Sequence, residues 1–323
     1  MASEFDIIRR NFERKISDSE VLLGIGDDAA IIRFPPNGNL VVATDLLVAG
    51  RHFPVNTPAR AIGHRVLAVN LSDMAAMSAI PRWAVLQLSI PEHDQAWLSD
   101  FSDGLFSLAD RFGVTLVGGD TVCGPLTAGI TVLGETNQPV TRSGARQGDV
   151  ICVSGTVGDA FLGLQVAQDR LPAKAFVRAK DRFLYPEPRI QLGIALATIA
   201  TAMIDTSDGL LADLEKLLAS SGVGADVEIN AVPFSAEAES ALNNGIEKNR
   251  LLNSGDDYEL CFTLHEDNLE SVFAISSDLG VAITPIGKIV TGDSLVCTDN
   301  GKPWAFESGG FDHFGGTTHV SKR

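Results

Sequence analysis

The chain has 323 residues, 45% of them hydrophobic and 31 of them glycine, with a formal net charge of −16. That length exceeds the size at which one core keeps growing, so two domains are expected, and the apolar fraction excludes a disordered chain. The acidic balance excludes nucleic acid as a partner, because phosphates need a basic face, but not a small phosphorylated ligand whose charge metal ions offset.

The four cysteines, Cys123, Cys152, Cys261 and Cys297, form no Cys-x-x-Cys pair. They point to neither a zinc site nor a disulfide framework, and fit a reduced cytoplasm. The first dozen residues carry acids among their apolar positions, unlike a signal peptide. The longest nearly apolar run, residues 190–204, is too short to span a membrane and contains Gln191.

Residues 5–14 read as a short amphipathic helix with Phe5, Ile8 and Phe12 on one face. Residues 29–34 and 40–45 read as strands around Pro35-Pro-Asn-Gly38, a hairpin signal. Thr57-Pro-Ala-Arg-Ala opens a helix with proline in its first turn, running to about Asn70. Residues 83–90 alternate as a strand, 92–112 form a helix, and 114–117 and 130–133 are further strands. The polar turn Arg142-Ser-Gly-Ala-Arg-Gln-Gly-Asp149 marks a boundary between domains 1–148 and 149–323, because a fresh strand and glycine-rich turn begin at Val150. Beyond it, 190–204 is a core helix running into a buried strand, 210–219 a helix, 259–264 a strand, and 268–279 a helix that closes the domain. The expected class is α/β (α+β), with a loop at Gly309-Gly-Phe-Asp-His-Phe-Gly-Gly316.

Carboxylates organise this chain. Gly24-Ile-Gly-Asp-Asp-Ala-Ala sets two adjacent acids in a glycine-flanked turn with no basic neighbour. Three apolar strand-like runs end in aspartate: Leu40-Val-Val-Ala-Thr-Asp45, Val114-Thr-Leu-Val-Gly-Gly-Asp-Thr121 and Ala202-Met-Ile-Asp-Thr-Ser-Asp-Gly209. A helical run, Leu67-Ala-Val-Asn-Leu-Ser-Asp73, ends in another. Converging Asp28, Asp45, Asp73, Asp120 and Asp205 would repel one another unless hard divalent cations sat between them, so the cluster is expected to hold Mg²⁺ and, through it, polyphosphate. Singly, each is as well explained as a cap or turn former, and for Asp103 that explanation is preferred.

Other phosphate-binding devices fail. Gly24-x-Gly-x-x-Ala29 matches a dinucleotide fingerprint, but Asp27 and Asp28 stand where a pyrophosphate meets backbone amides, and a strand with Pro35-Pro36 follows instead of a helix. There is no Gly-x-x-x-x-Gly-Lys-Ser/Thr loop, no paired zinc histidines and no nucleophile elbow.

Taken together, Gly24-Ile-Gly-Asp-Asp-Ala-Ala, Thr44-Asp45 with His52-Phe53, Asn70-Leu-Ser-Asp-Met-Ala-Ala-Met77, Gly118-Gly-Asp-Thr121, Thr141-Arg-Ser-Gly-Ala145, Asp205-Thr-Ser-Asp-Gly-Leu210, Gly255-Asp-Asp-Tyr-Glu-Leu260 and Gly310-Phe-Asp-His-Phe314 resemble the thiamine-monophosphate kinase family. The motifs run in order along nearly the whole chain, which is far more specific than any one of them. The resemblance implies the two-domain fold of aminoimidazole ribonucleotide synthetase. In it, the N-terminal domain binds ATP and pairs into a homodimer, and the C-terminal α/β domain completes the substrate cleft.

The resemblance further implies that Asp28, Thr44, Asp45, Asp73, Asp120, Asp205 and Asp208 hold magnesium and that Gly119, Asp120, Arg142 and Ser207 contact nucleotide. His52, Asp256 and Phe311 fall at substrate positions. The family usually has Glu at position 256, an aromatic with a polar edge at 311, and sometimes a hydroxyl residue where Ala43 stands. The implied reaction is direct in-line transfer from ATP to thiamine monophosphate, with Asp28, Asp45, Asp73, Asp120, Arg142 and Asp205 as the machinery. The acceptor oxygen is already anionic, so no general base is needed and charge is the difficulty. Two alternatives stay open on the residues alone: a sister ATP-using synthetase of the same fold, and a non-catalytic divalent-metal-binding protein.

Overall fold

The computed structural model describes residues 4–25, 29–34 and 38–305. The chain divides into one unit of Met1–Met74 with Ile80–Asn137 and another of Gln138–Thr318 with Ala75–Ala79.

The first unit runs α1 (Glu4–Asn11), β1 (Val21–Leu23), β2 (Ile31–Ile32), β3 (Asn39–Val48), α2 (Ala59–Ala76), β4 (Ile80–Ile90), α3 (Gln95–Phe112), β5 (Thr115–Cys123) and β6 (Thr127–Thr136). Four strands form a sheet in the order β3-β6-β4-β5, antiparallel except for β4 with β5, which are joined through α3. Alternation sorts its residues. Ala84, Leu86, Leu88, Ala128, Ile130 and Val132 are buried on one face, while Leu40, Val42, Leu46 and Val122 on the other remain 47–55% exposed.

Helix α3 starts where Asp94 accepts the N–H groups of Ala96 and Trp97, and ends on Gly113 at φ 68°. It lies against α2 at a glycine contact. A Cβ on Gly63 would come 1.9 Å from the Phe101 carbonyl oxygen, and one on Gly104 the same distance from that of Arg60. On α1, Ile7 is buried, and just beyond that helix Phe12 packs edge-on to Phe101 at 6.3 Å. The side chain of Phe5 lies outside the described residues.

Among the described residues, β2 and β3 do not pair as the hairpin expected around Pro35 to Gly38 requires. Ile31–Ile32 pairs back with Val21–Leu23, whereas β3 pairs along its whole length with β6. Residues 35–37 lie outside the described residues. Ile31–Ile32 already has its partner in Val21–Leu23, with the Arg33 N–H donating to the Glu20 carbonyl, so the local turn signal does not decide the pairing. The strands holding Asp45 and Asp120 also continue past them, to Val48 and Cys123.

The second unit runs β7 (Val150–Ser154), α4 (Asp159–Ala167), α5 (Val177–Leu184), α6 (Ile190–Leu196), β8 (Ala200–Asp205), α7 (Leu210–Ser221), β9 (Gly224–Glu228), α8 (Ala236–Asn243), α9 (Lys248–Leu252), β10 (Leu260–Leu264), α10 (Leu269–Leu279), β11 (Ile283–Val290), β12 (Leu295–Asp299) and β13 (Lys302–Pro303). Its seven-stranded sheet has the order β13-β12-β9-β11-β7-β10-β8. Strands β7 and β10 are buried at every position, and Leu210, Leu211, Leu214, Leu217 and Leu218 of α7 pack into the same core. The domain therefore does not close at α10, since β11, β12 and β13 follow it into the sheet.

Candidate functional site

In the first unit, β4 and β5 border a cavity of about 810 Å³ lined by Gln87, Gly118, Gly119 and Asp120, and also by Arg9 of α1 and by Glu13 just beyond that helix. Gly24, Ile25, Ala29 and Ala30, the flanks of the paired-acid turn, border it as well. Position 119 needs glycine, because its φ is 158° and a Cβ would lie 2.2 Å from the Leu86 carbonyl oxygen. Gly118 faces open space. Backbone and small residues here leave room for a ligand to approach the strand closely.

Asp120 is exposed on edge strand β5, and Asp45 is exposed on the opposite edge strand, β3. Two strands lie between them, which separates the backbones by roughly 14 Å. Thr44 Oγ1 donates to the Ile130 carbonyl and lies 3.1 Å from Thr131 Oγ1. Asp73 sits inside α2, half-buried among the buried Leu71, Ser72 and Met74, so it is not a helix cap. Asp28 lies outside the described residues. Among the described residues, no three His, Cys, Asp or Glu side chains gather into a metal-binding group.

His52 follows the sharp turn after β3, where its own N–H and that of Arg51 donate to the Val48 carbonyl. Its Nδ1 accepts the Val48 N–H at 2.9 Å. In the neutral ring the proton then sits on Nε2, which makes that nitrogen a hydrogen-bond donor.

In the second unit, Asp205 ends β8 and is buried. Ser207, half-buried, follows it, and then Asp208 before α7. That helix is capped from within, because Asp213 Oδ2 accepts the N–H groups of Asp208 and Gly209. Lys216 donates to Asp213 and Asp208 together. Burial works against the Lys216 charge, but its bonds to Asp208 and Asp213 outweigh this and raise its pKa. Burial likewise raises Asp213, more than Lys216 lowers it. Arg142 is exposed, and its carbonyl accepts Ser221 Oγ at 2.9 Å.

The Asp256 turn is laced to the Asp205 loop. Asp256 N–H donates to the Ser207 carbonyl and Tyr258 N–H to that of Thr206, both at 3.0 Å. Asp256 and Tyr258 have φ of 75° and 52°, a conformation that side chains other than glycine rarely adopt. Next to them, Asp257 accepts the N–H groups of Gly158 and Ala160 at the start of α4. Burial pushes its carboxyl up to about 7 against those bonds and Arg182. Phe311 lies outside the described residues.

Sequence reasoning passed over Lys216, Asp213 and the buried cluster of Glu259 with Arg182 and Arg189. The i,i+3 spacing of Asp213 and Lys216 was a usable signal. The arginines stand 77 and 70 positions from Glu259, and nothing local announces them.

Residues 26–136 match the family model described as AIR synthase related protein, N-terminal domain, and residues 146–300 match its C-terminal counterpart. The chain is 42% identical over 318 residues to a thiamine-monophosphate kinase of Salmonella typhimurium, covering 96% of this chain and 98% of that one. It is similar to the crystal structure of a thiamine-monophosphate kinase from Stenotrophomonas maltophilia K279a, with a TM-score of 0.82 and 40% identity, covering 89% of this chain and 93% of the other. It is also similar to a structure described as AaThiL complexed with AMPPCP and TMP, with a TM-score of 0.78 and 29% identity over 96% of each chain.

Proposed function

Because the chain belongs to the thiamine-monophosphate kinase family, we propose that it transfers the γ-phosphoryl group of ATP to thiamine monophosphate, yielding thiamine diphosphate and ADP. The observation that carries this reading is the 42% identity maintained over nearly the full length of both chains.

The acceptor is a phosphate oxygen already ionised near neutral pH, so the protein has no proton to remove. It has to bring two polyanions into line and offset their charge. Gly119 and Asp120 would face the nucleotide across the cavity under β4 and β5, with Ser207 and Arg142 as further nucleotide contacts. Arg142 supplies a fixed positive charge, and His52, whose Nδ1 is held by the Val48 N–H, is a proposed substrate contact. Asp256 and Phe311 are the other proposed substrate contacts.

Mg²⁺ fits the candidate donors Asp28, Thr44, Asp45, Asp73, Asp120, Asp205 and Asp208, which offer only hard oxygen atoms and no imidazole or thiolate. Bound there, it would neutralise and orient the phosphates. The aspartates Asp28, Asp45, Asp73, Asp120 and Asp205, with Arg142, are thus proposed to work by positioning and electrostatics, without a phospho-enzyme.

The same reading assigns ATP and magnesium binding to residues 1–148 and makes the protein a homodimer joined through that domain. The outward face of the four-stranded sheet supports this, since Leu40, Val42, Leu46 and Val122 are exposed there. A cytoplasmic setting is consistent with the four free thiols. Among the described residues, no helix is long and apolar enough to cross a membrane. Incubation with Mg-ATP and thiamine monophosphate, followed by chromatography for thiamine diphosphate, tests the proposal. Consumption of neither substrate would overturn it.

A further inference from the structure

We infer that Glu259, clamped by Arg182 and Arg189, is a positioning residue for the phosphoryl acceptor, holding the strained Asp256–Tyr258 turn and with it the Asp256 carboxylate. This rests on the reading above, in which Asp256 faces the acceptor.

Glu259 is fully buried at the head of β10. Its Oε1 accepts from Nη2 of both Arg182 and Arg189, and its Oε2 from Arg189 Nε at 2.7 Å and from Ser154 Oγ. Arg189 therefore grips it with two parallel bonds, the geometry that fixes direction as well as charge. Burial alone would push this carboxyl up, but the two guanidinium groups outweigh it and hold it below the usual range. Such buried ion clusters add little net stability over apolar residues of the same volume. What this one supplies is a fixed geometry.

That geometry is passed to the turn through the backbone. Glu259 N–H donates to Thr206 Oγ1 at 3.1 Å, and its carbonyl accepts the Thr206 N–H at 2.8 Å. Arg182 Nη2 also donates to the Asp257 carbonyl at 3.3 Å, so the guanidinium that holds Glu259 holds the peptide between the two left-handed residues as well. Tyr258 Oη then donates to Asp256 Oδ1 at 3.0 Å and aims the carboxylate. Gly255 completes the close fit, since a Cβ there would lie 1.8 Å from the Ser207 carbonyl oxygen. Left-handed backbone at two positions other than glycine persists only where the surroundings impose it. Here they do so on both sides, through Asp257 at the start of α4 and through Glu259 in the arginine clamp.

The test is steady-state kinetics of the full-length protein, varying thiamine monophosphate at saturating Mg-ATP and then the reverse. In Glu259→Gln, which keeps the shape and removes the charge, KM for thiamine monophosphate should rise about tenfold while KM for ATP and kcat stay within about threefold. Arg182→Lys keeps a charge but cannot span Glu259 and the Asp257 carbonyl together, and should give a smaller shift of the same kind. An unchanged KM for thiamine monophosphate, or an equal rise in both KM values, overturns the inference. If Glu259→Gln does not fold by circular dichroism, Arg182→Lys decides by the same criteria. A wild type that makes no thiamine diphosphate overturns the functional reading and this inference with it. Turnover with unshifted KM values overturns the inference alone.

Discussion

The ammonium of Lys216 donates to the carboxylate of Asp208, a side chain proposed as a metal ligand. A lysine and a divalent cation compete for the same oxygens. Lys216→Met should therefore raise the affinity for Mg²⁺ by about threefold, a modest factor because both groups are partly exposed to solvent. The metal-free variant should lose about 1–2 kcal/mol, since buried Asp213 keeps its backbone bonds but loses its counter-ion. Magnesium titration by calorimetry and melts in EDTA check both. Weaker magnesium binding in the variant would mean that Lys216 supports the ion instead of opposing it.

Asp257 gives the fold a pH dependence. Its folded pKa, about 7, stands above the unfolded value of 3.8, so its protonated form is the stabilising one. The contribution is complete below about pH 4 and is lost as pH rises through about 7. Urea unfolding at pH 5, 6, 7 and 8 should show the wild type losing stability across this range relative to Asp257→Asn. Parallel curves for the two proteins would exclude Asp257 as the source.

Gly63→Ala should destabilise the protein by about 2 kcal/mol or more, because its Cβ would meet the backbone of α3 and not a flexible side chain. Gly113→Ala faces no such contact, and its cost comes from the left-handed φ of 68°. Guanidinium unfolding of both variants should rank Gly63→Ala as the worse, and the reverse order would mean that α2 and α3 can shift apart.

Asp73 lies within α2, half-buried, and is proposed as a metal ligand. Asp73→Asn should stabilise the metal-free protein by about 1 kcal/mol, as substitutions do where function opposes stability. With magnesium the order should reverse, because the wild type gains binding free energy that the variant partly loses. Melts in EDTA and in magnesium decide. An equal fall in both conditions would make Asp73 a structural residue.

Much of the fold is legible in local pattern. Residues 83–90 alternate and do form β4, and the 92–112 segment becomes α3 with a cap at Asp94. The misreadings arise where partners are remote. Pro35-Pro-Asn-Gly38 reads as a hairpin turn, yet β3 belongs to β6, with Asp45 opposite Ile130. Strand β11 is hidden by Pro285 and Gly287, which the sheet accommodates with a register shift between them. At the candidate site, acids in glycine-rich turns announce themselves by their residue types and spacing. Glu259 does not, since its meaning depends on two arginines more than sixty residues away.

The homodimer proposed through the outward face of the first unit's sheet would also make stability a matter of mass action. A lone copy leaves Leu40, Val42, Leu46 and Val122 in water, and the proposed pairing would remove that exposure only when a second copy is at hand. Folding and association are then linked, so the melting temperature should climb with protein concentration, and dilution alone should weaken the fold. In a cell, the abundance of the chain would set how much of it survives as native protein, independently of any change in its sequence.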